Sequence, residues 1–467
     1  MDIELANFAL KQAMKFSSYA EIRLEESSGD SFLLKNGILE EAGFEQSLGL
    51  SIRMIVNGAS CFASLNNITK ERIKRLVQEA KKVKSRLNKK LELSEESIQK
   101  REYEVRQNIK LEDVSAEEKL GALFDIEKLV SGTKTDVPGR HFFLSDWVTN
   151  KHYANSNGTV IKAKIPRVNF SYYITIKANG KLSQRYWQYG ATGGFEKVKQ
   201  WNLPKLIEEE INAAKQNLIK GINAPAGKID VVVAPQVTGI IVHESTGHPY
   251  EADRIMGREA AQAGESFVTK QMLGTRIGSN AVNVVDDPTV PNSFGFYLYD
   301  DEGVKARRKL LIKNGIINEF LHNRETAKSF GMKSNAGARA VTFDREPIVR
   351  MSNTFMLPGN FTEEELIEGV KNGVYIKNFM EWNIDDKRFN QKYVGAEAYS
   401  IKNGRIGQPV VKPTLEITTP KLYSSIDAVA KNVEHHAGSC GKGEPMQAIP
   451  VWFGGPSFRM RGIMLSK

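Results

Sequence analysis

Three residues in one short run could do chemistry by type and spacing: His243, Glu244 and His248, in H-E-S-T-G-H. Two imidazoles and a carboxylate delivered together are what a metal-dependent hydrolase needs to hold an ion and move protons. The spacing is not that of the common H-E-x-x-H, whose histidines sit four apart and share a helix face. Here they are five apart, and at about 100° per residue a regular helix would turn them roughly 140° away from each other. They converge only if the backbone between them leaves α geometry. A single-turn π-bulge absorbs one extra residue. Gly247 can take dihedrals that other residues resist, and Pro249 ends the helix by His248. The plain alternative is a helix end that happens to carry polar side chains.

Two histidines leave a catalytic zinc site one protein ligand short, because three protein ligands plus water is the usual arrangement. Glu251 and Asp253 are the local candidates; His435, His436 and Cys440 are the distant ones. Cys440 lies in H-H-A-G-S-C-G-K-G, where flanking glycines let backbone approach an ion. Its thiolate would be a soft, zinc-favouring ligand, while a thiol buried in a turn is the competing account. His435 and His436 are adjacent and face opposite ways in an extended segment, so at most one reaches a common site. Glu244 points away from an ion held by its neighbour, which suits it to general acid/base work; a salt-bridged surface glutamate is the alternative. The acid pairs Asp286-Asp287, Asp300-Asp301 and Asp385-Asp386 lack the spacing of a cation loop and read as turns or solvated strand ends.

These side chains need a scaffold. Ile229 to Ala234 is an apolar run broken by Asp230 and reads as a buried strand; Pro235 opens a second apolar segment that reads as a helix. Upstream, a helix is expected over Ile3 to Phe16. Strands follow at Tyr19–Leu24, Phe32–Lys35, Gly49–Val56 and Ala59–Ser64, turned by Asn36-Gly37 and Asn57-Gly58. Cys61, within the last of these, reads as a buried structural thiol. Strands return from His141 to Tyr189, with Val168–Lys177 the clearest β stretch and helices near Ala116–Leu129 and Leu203–Ile219 on either side. Beyond the site, strands are expected at Val282–Asp286, Gly295–Asp300, Lys309–Lys313, Ile316–His322, Ala396–Lys402 and Gly404–Pro409, and a capping box at Thr362–Glu365 starts a helix. The small, Pro/Gly-rich Gly221–Gly227 is the expected boundary between an N-terminal α+β domain with antiparallel strands (1–222) and a β-rich C-terminal domain carrying the metal-binding helix (223–467).

The chain has 467 residues, enough for two or three domains, and its 41% hydrophobic and 26% charged residues fit a soluble globular protein. No apolar run approaches the ~18 residues of a membrane span, and Lys11 and Lys15 argue against a signal peptide, so the cytoplasm is the expected compartment. Two cysteines cannot make a disulfide scaffold. Of the net charge of +10, much lies between Lys70 and Lys90, where ten Lys or Arg face Glu71 and Glu79. Ile73, Leu76, Val77, Ala80, Val83 and Leu87 recur there at helical spacing, so the charges form the solvated face of an amphipathic helix. No nucleic-acid-binding signature accompanies them. The rival reading is a non-enzymatic module that engages nucleic acid or an acidic partner through this helix.

With these residues in view, the chain resembles the TldD/PmbA family, once named modulators of DNA gyrase and understood as metallopeptidases. H-E-S-T-G-H-P-Y-E-A-D (His243–Asp253) resembles the family's H-E-x-x-x-H element. D-D-E-G (Asp300–Gly303), M-S-N-T-F-M-L-P-G (Met351–Gly359), G-S-C-G-K (Gly438–Lys442) and the N-terminal run Gly49–Ser64 resemble further blocks in order. The resemblance implies His243, His248 and Cys440 as zinc ligands, Glu244 as catalytic acid/base, and the catalytic TldD branch. It also implies a homodimer or a heterodimer with a PmbA/TldE-type subunit, enclosing a cavity for unfolded peptides; the apolar runs and charge pattern above add the expectation of no membrane partner and make nucleic acid the less favoured one. A sequence-tolerant peptidase would bind such peptides through their backbone, as a strand added to an exposed edge. Glu381–Tyr393 departs from the family, many of whose members carry a Gly-rich segment there.

Overall fold

The computed structural model describes residues 1–82, 90–225, 227–258 and 265–466. The protein is α+β. Among the described residues, the N-terminal half is built on a seven-stranded sheet ordered Ala59–Leu65, Ile38–Val56, Tyr19–Lys35, Asp136–Asn155, Val160–Ala178, with Lys181–Thr192 and the short parallel Lys100–Glu104 both on the last. At Asn36-Gly37, Asn57-Gly58 and Asn179-Gly180 both residues have positive φ, the conformation that matches strand twist in a two-residue hairpin.

The strands are longer than the hydrophobic pattern implies. Tyr19–Leu24 and Phe32–Lys35 are one continuous strand, Tyr19–Lys35. The polar stretch between them is held in register on both sides, by Ile38–Val56 and by Asp136–Asn155, so its backbone stays paired whatever its side chains. The helix Ile3–Met14, capped by the Asp2 carboxylate on Leu5 N at 3.0 Å, covers one end of this sheet. Beside it lies the basic helix Lys70–Lys81, which buries Ile73 and Val77 under a charged outer face. Val83 and Leu87, expected to extend that stripe, lie outside the described residues. Helices Ala116–Ser131 and Leu203–Lys220 seal the sheet further along.

The C-terminal half holds two more sheets. One is nine-stranded and has Lys228–Val233 near its middle, between the parallel Asn372–Ile376 and the antiparallel Phe458–Ser466. It ends in the hairpin Phe379–Ile384/Asn390–Gly395. The other is six-stranded and carries the hairpin Glu434–Lys442/Gln447–Gly455 at its edge.

Gly295–Asp300, expected as a strand, is loop, and the strand expected over Ile316–His322 shrinks to Ile316–Ile317. Side chains replace the ladder there. The buried Asp300 carboxylate accepts from the N–H groups of Glu302, Val304 and Ala338, and Arg167 donates to the carbonyls of Phe294 and Phe296. One hydrophobic core runs through both halves, joining Phe142, Phe170 and Ile207 to Val231, Ile241 and Phe453. No helix among the described residues is long and apolar enough to cross a membrane.

Candidate active site

The site grows out of the buried strand Lys228–Val233. Extended Ala234 and Pro235 at the first helical position turn the chain into the helix Pro235–Val242, whose residues are buried save Gln236. The next five residues, His243–Gly247, form a π turn closed by the His248 N–H on the His243 carbonyl. That turn absorbs the extra residue. The imidazoles of His243 and His248 consequently lie on one side, ring centroids 5.0 Å apart and nearly perpendicular. Pro249 then sits in a single 3₁₀ turn, His248–Tyr250. Gly247 has ordinary right-handed dihedrals (φ −51°, ψ −67°), so glycine is required there for space: a Cβ would stand 2.6 Å from Met351 Sδ.

Cys440 arrives from the edge strand Glu434–Lys442, opposite Ile449. Its Sγ lies 3.3 Å from His248 Nε2, and the thiol and both imidazoles are buried. One ligand atom from each of His243, His248 and Cys440 fits within a 4.8 Å set. Burial pushes the Cys440 thiol up, but His248, His243 and Arg350 outweigh it and hold the group well below its ordinary value, as a thiolate. Burial depresses His248, yet that thiolate and Glu251 leave it raised. His243 Nδ1 is buried with no hydrogen-bond partner among the described residues.

Glu251 and Asp253 take supporting positions. Glu251 Oε2 is 3.2 Å from His248 Nδ1, the ring nitrogen turned away from Cys440, and 3.2 Å from Lys442 Nζ. Burial raises this carboxyl, but Lys442 and His248 overcome it and hold the group far below the usual carboxylate range. Asp253 pairs with the same Lys442 at 2.7 Å. His435 stacks on Trp452 and His436 meets the edge of Trp187, so neither joins the set. Of the acid pairs, Asp286, Asp287 and Asp300 are buried rather than solvated, whereas Asp385-Asp386 sits in a surface turn with Asp386 exposed. Asp286 is bound by Lys309 and Ser352, and Asp385 caps the tip of the Phe379–Gly395 hairpin.

Glu244 is salt-bridged but not on the surface: it is 6% exposed and opens into a cavity of about 470 Å³ shared with the three ligand candidates. Trp187, Phe379, Trp382 and Phe453 give that cavity aromatic walls. Two residues that sequence reasoning did not single out hold the carboxylate: Trp382 Nε1 donates to Oε1 at 3.2 Å, and Arg388 Nη1 to Oε2 at 2.5 Å. Both come from Glu381–Tyr393, the segment expected from the resemblance to depart from the family pattern. That departure was the available signal.

Comparison with known proteins gives the family. A model described as the PmbA/TldA metallopeptidase C-terminal domain matches residues 226–467, and its domain 1 and central-domain counterparts match 20–84 and 109–218. A metalloprotease of Methanocaldococcus jannaschii is 32% identical, over 96% of this chain and 97% of its own length. The chain belongs to the PmbA/TldD metallopeptidase family. A family member from Saccharolobus solfataricus, named a zinc metalloprotease TldD homolog, is 31% identical over 52% of this chain and 53% of its own. TldE from Thermococcus kodakarensis shares the fold, with a TM-score of 0.77 at 16% identity over 99% of this chain and 100% of that one. The PmbA/TldD fold thus persists where little of the sequence does.

Proposed function

We propose that this chain is a zinc-dependent peptidase of the TldD branch, hydrolysing peptide bonds in unfolded peptides or small proteins. The observation that carries this reading is the convergence of His243, His248 and Cys440 within 4.8 Å beside a cavity into which Glu244 also opens. The zinc in the name of the Saccharolobus relative and the thiolate in the donor set support the choice of metal. His243, His248 and Cys440 would hold the ion, which when bound supplies a Lewis acid for water and for the scissile carbonyl.

Glu244 is the proton carrier. It takes a proton from the attacking water on one carboxylate oxygen and returns it to the leaving amine. Trp382 holds the other oxygen, so the carboxylate does not swing during the transfer. Glu251 fixes His248 by accepting from Nδ1, which leaves Nε2 directed at the site. The functional unit is proposed to be cytoplasmic and dimeric, with itself or with a PmbA/TldE-type subunit.

Bound metal and peptide cleavage in the wild type, Glu244→Gln and Cys440→Ser test the assignment. Glu244→Gln is expected to keep stoichiometric zinc while cleavage falls by about 10²–10⁴-fold. Cys440→Ser is expected to lose zinc. Unchanged cleavage in Glu244→Gln would remove the mechanism.

A further inference from the structure

The hairpin Phe379–Gly395 places a cation against the catalytic carboxylate. Arg388 is 8% exposed, lines the same cavity as His243 and His248, and meets Glu244 Oε2 at 2.5 Å. Backbone and Asp385 bonds hold the hairpin tip. Arg388 N donates to Asp385 O at 2.9 Å, Arg388 O accepts from Thr419 Oγ1 at 2.9 Å, and Asp385 takes the N–H groups of Phe389 and Asn390 at 2.7 and 3.0 Å. A further bond ties the hairpin to the π turn, since Ser245 Oγ donates to Gln391 Oε1 at 2.8 Å. Arg388 also has φ +63°, a left-handed conformation that is unfavourable for a non-glycine residue and persists where surrounding structure imposes it. The charged end is therefore presented to the cavity from a fixed backbone.

We infer that Arg388 is a specificity-determining residue that selects peptides bearing a carboxylate near the scissile bond, through exchange of its partner from Glu244 to the substrate. This rests on the peptidase reading above. What the structure displays is a carboxylate seat beside the reacting centre, filled by the enzyme's own base. A guanidinium donates to any carboxylate placed in that position. When a substrate carboxylate takes the seat, Arg388 keeps a charged partner, so the exchange leaves no buried cation uncompensated. Glu244 stays oriented by Trp382 and regains Oε2 for the water proton. A neutral substrate must instead work against the intact pair. The carboxylate is either the C-terminus of a short peptide or an Asp or Glu side chain flanking the bond.

The test uses zinc-loaded full-length protein and one pentapeptide, Ala-Ala-Phe-Ala-Ala, prepared as the free acid, as the C-terminal amide, and as amides carrying one Glu at each position in turn. Affinity is read from tryptophan fluorescence, Trp382 being beside the seat, and cleavage by mass spectrometry. A charge-assisted pair should make at least one carboxylate form bind about tenfold or more tightly than the plain amide. The free acid winning identifies C-terminal recognition; a Glu amide winning identifies side-chain recognition. In Arg388→Gln the acid-to-amide ratio falls to about one, whatever the absolute rate, while Arg388→Lys retains part of it. A wild-type ratio to the plain amide near one for every carboxylate-bearing form, free acid and Glu amides alike, overturns the proposal. So does an equal loss for both forms in Arg388→Gln, since that is the signature of a residue that only orients Glu244. Selective binding that depends on Arg388, without cleavage of any peptide, would uphold this inference and count against the peptidase reading.

Discussion

Among single residues, Glu251 shows how much of the site lies behind the ligand candidates. It is fully buried, touches His248 Nδ1 and Lys442 at 3.2 Å each, and has the Arg254 and Arg350 guanidinium nitrogens at 3.8 Å. Its charge balances those cations and its oxygen sets the tautomer of the imidazole. Glu251→Gln keeps the shape and removes the charge. We expect zinc affinity to fall by about 10–100-fold, the usual cost of losing such an outer partner. Stability should drop by roughly 3–5 kcal/mol as buried cations lose their counter-ion. Chelator competition and urea denaturation measure the two effects. Zinc affinity equal to wild type would show that His248 is oriented by something else. The carboxyl is held well below its unfolded value, so its contribution is present above the ordinary carboxylate range and is lost as pH falls toward the folded value.

At the scale of elements, legibility followed from whether a signal is local. The Asn-Gly turns at 36–37 and 57–58 were readable because both residues must accept positive φ, which few others tolerate. The distorted helix after Val242 was readable because five-residue spacing has few geometric solutions that bring two imidazoles together. Cys440 could be named but not placed from residue type alone, since a strand beginning almost two hundred residues downstream delivers it. Arg388 and Trp382 could not be assigned, because an arginine's role depends on what a hairpin tip faces, and the pairing of Phe379–Ile384 with Asn390–Gly395 is what aims it. Gly295–Asp300 misled for the converse reason: its apolar and aromatic run suggests a strand, while side chains from far along the chain take up its backbone, Asn353 Oδ1 accepting from Gly295 N–H, Tyr103 Oη from Leu298 N–H, and Arg167 donating to Phe296 O. The π turn itself is held from three sides. Ser245 bonds Gln391, Thr246 bonds Tyr423, and Met351 packs where a Gly247 side chain would be.

Across the whole molecule, separated motifs meet to make one structure from two halves. Arg53, from the Gly49–Ser64 run, binds Glu21 at 2.7 Å beside it in the N-terminal sheet and Glu302, from the D-D-E-G block, at 2.6 Å across the halves. Glu302 also accepts from the Arg324 N–H, and Arg324 reaches back to Tyr19 and the Ser94 carbonyl. Nearby, Arg23 binds the carbonyls of Thr342 and Arg345. Such a network is costly to break at one point, because removing one member strands the others in a dry interior. Arg53→Met should lower unfolding stability by about 3–5 kcal/mol, since Glu21 and Glu302 lose their shared cation. Adding Glu302→Gln should restore part of that loss. The wild type, with one core crossing both halves, should unfold in urea in a single transition, seen at one midpoint by tryptophan fluorescence and far-ultraviolet circular dichroism. If Arg53→Met instead splits the curve in two, the network is the main bond between otherwise independent halves; if its midpoint is unchanged, hydrophobic packing alone joins them. In either case the site keeps a dependence on the junction, because Gln188 from the N-terminal sheet bonds Ser439 at 3.1 Å, one residue before the candidate ligand Cys440.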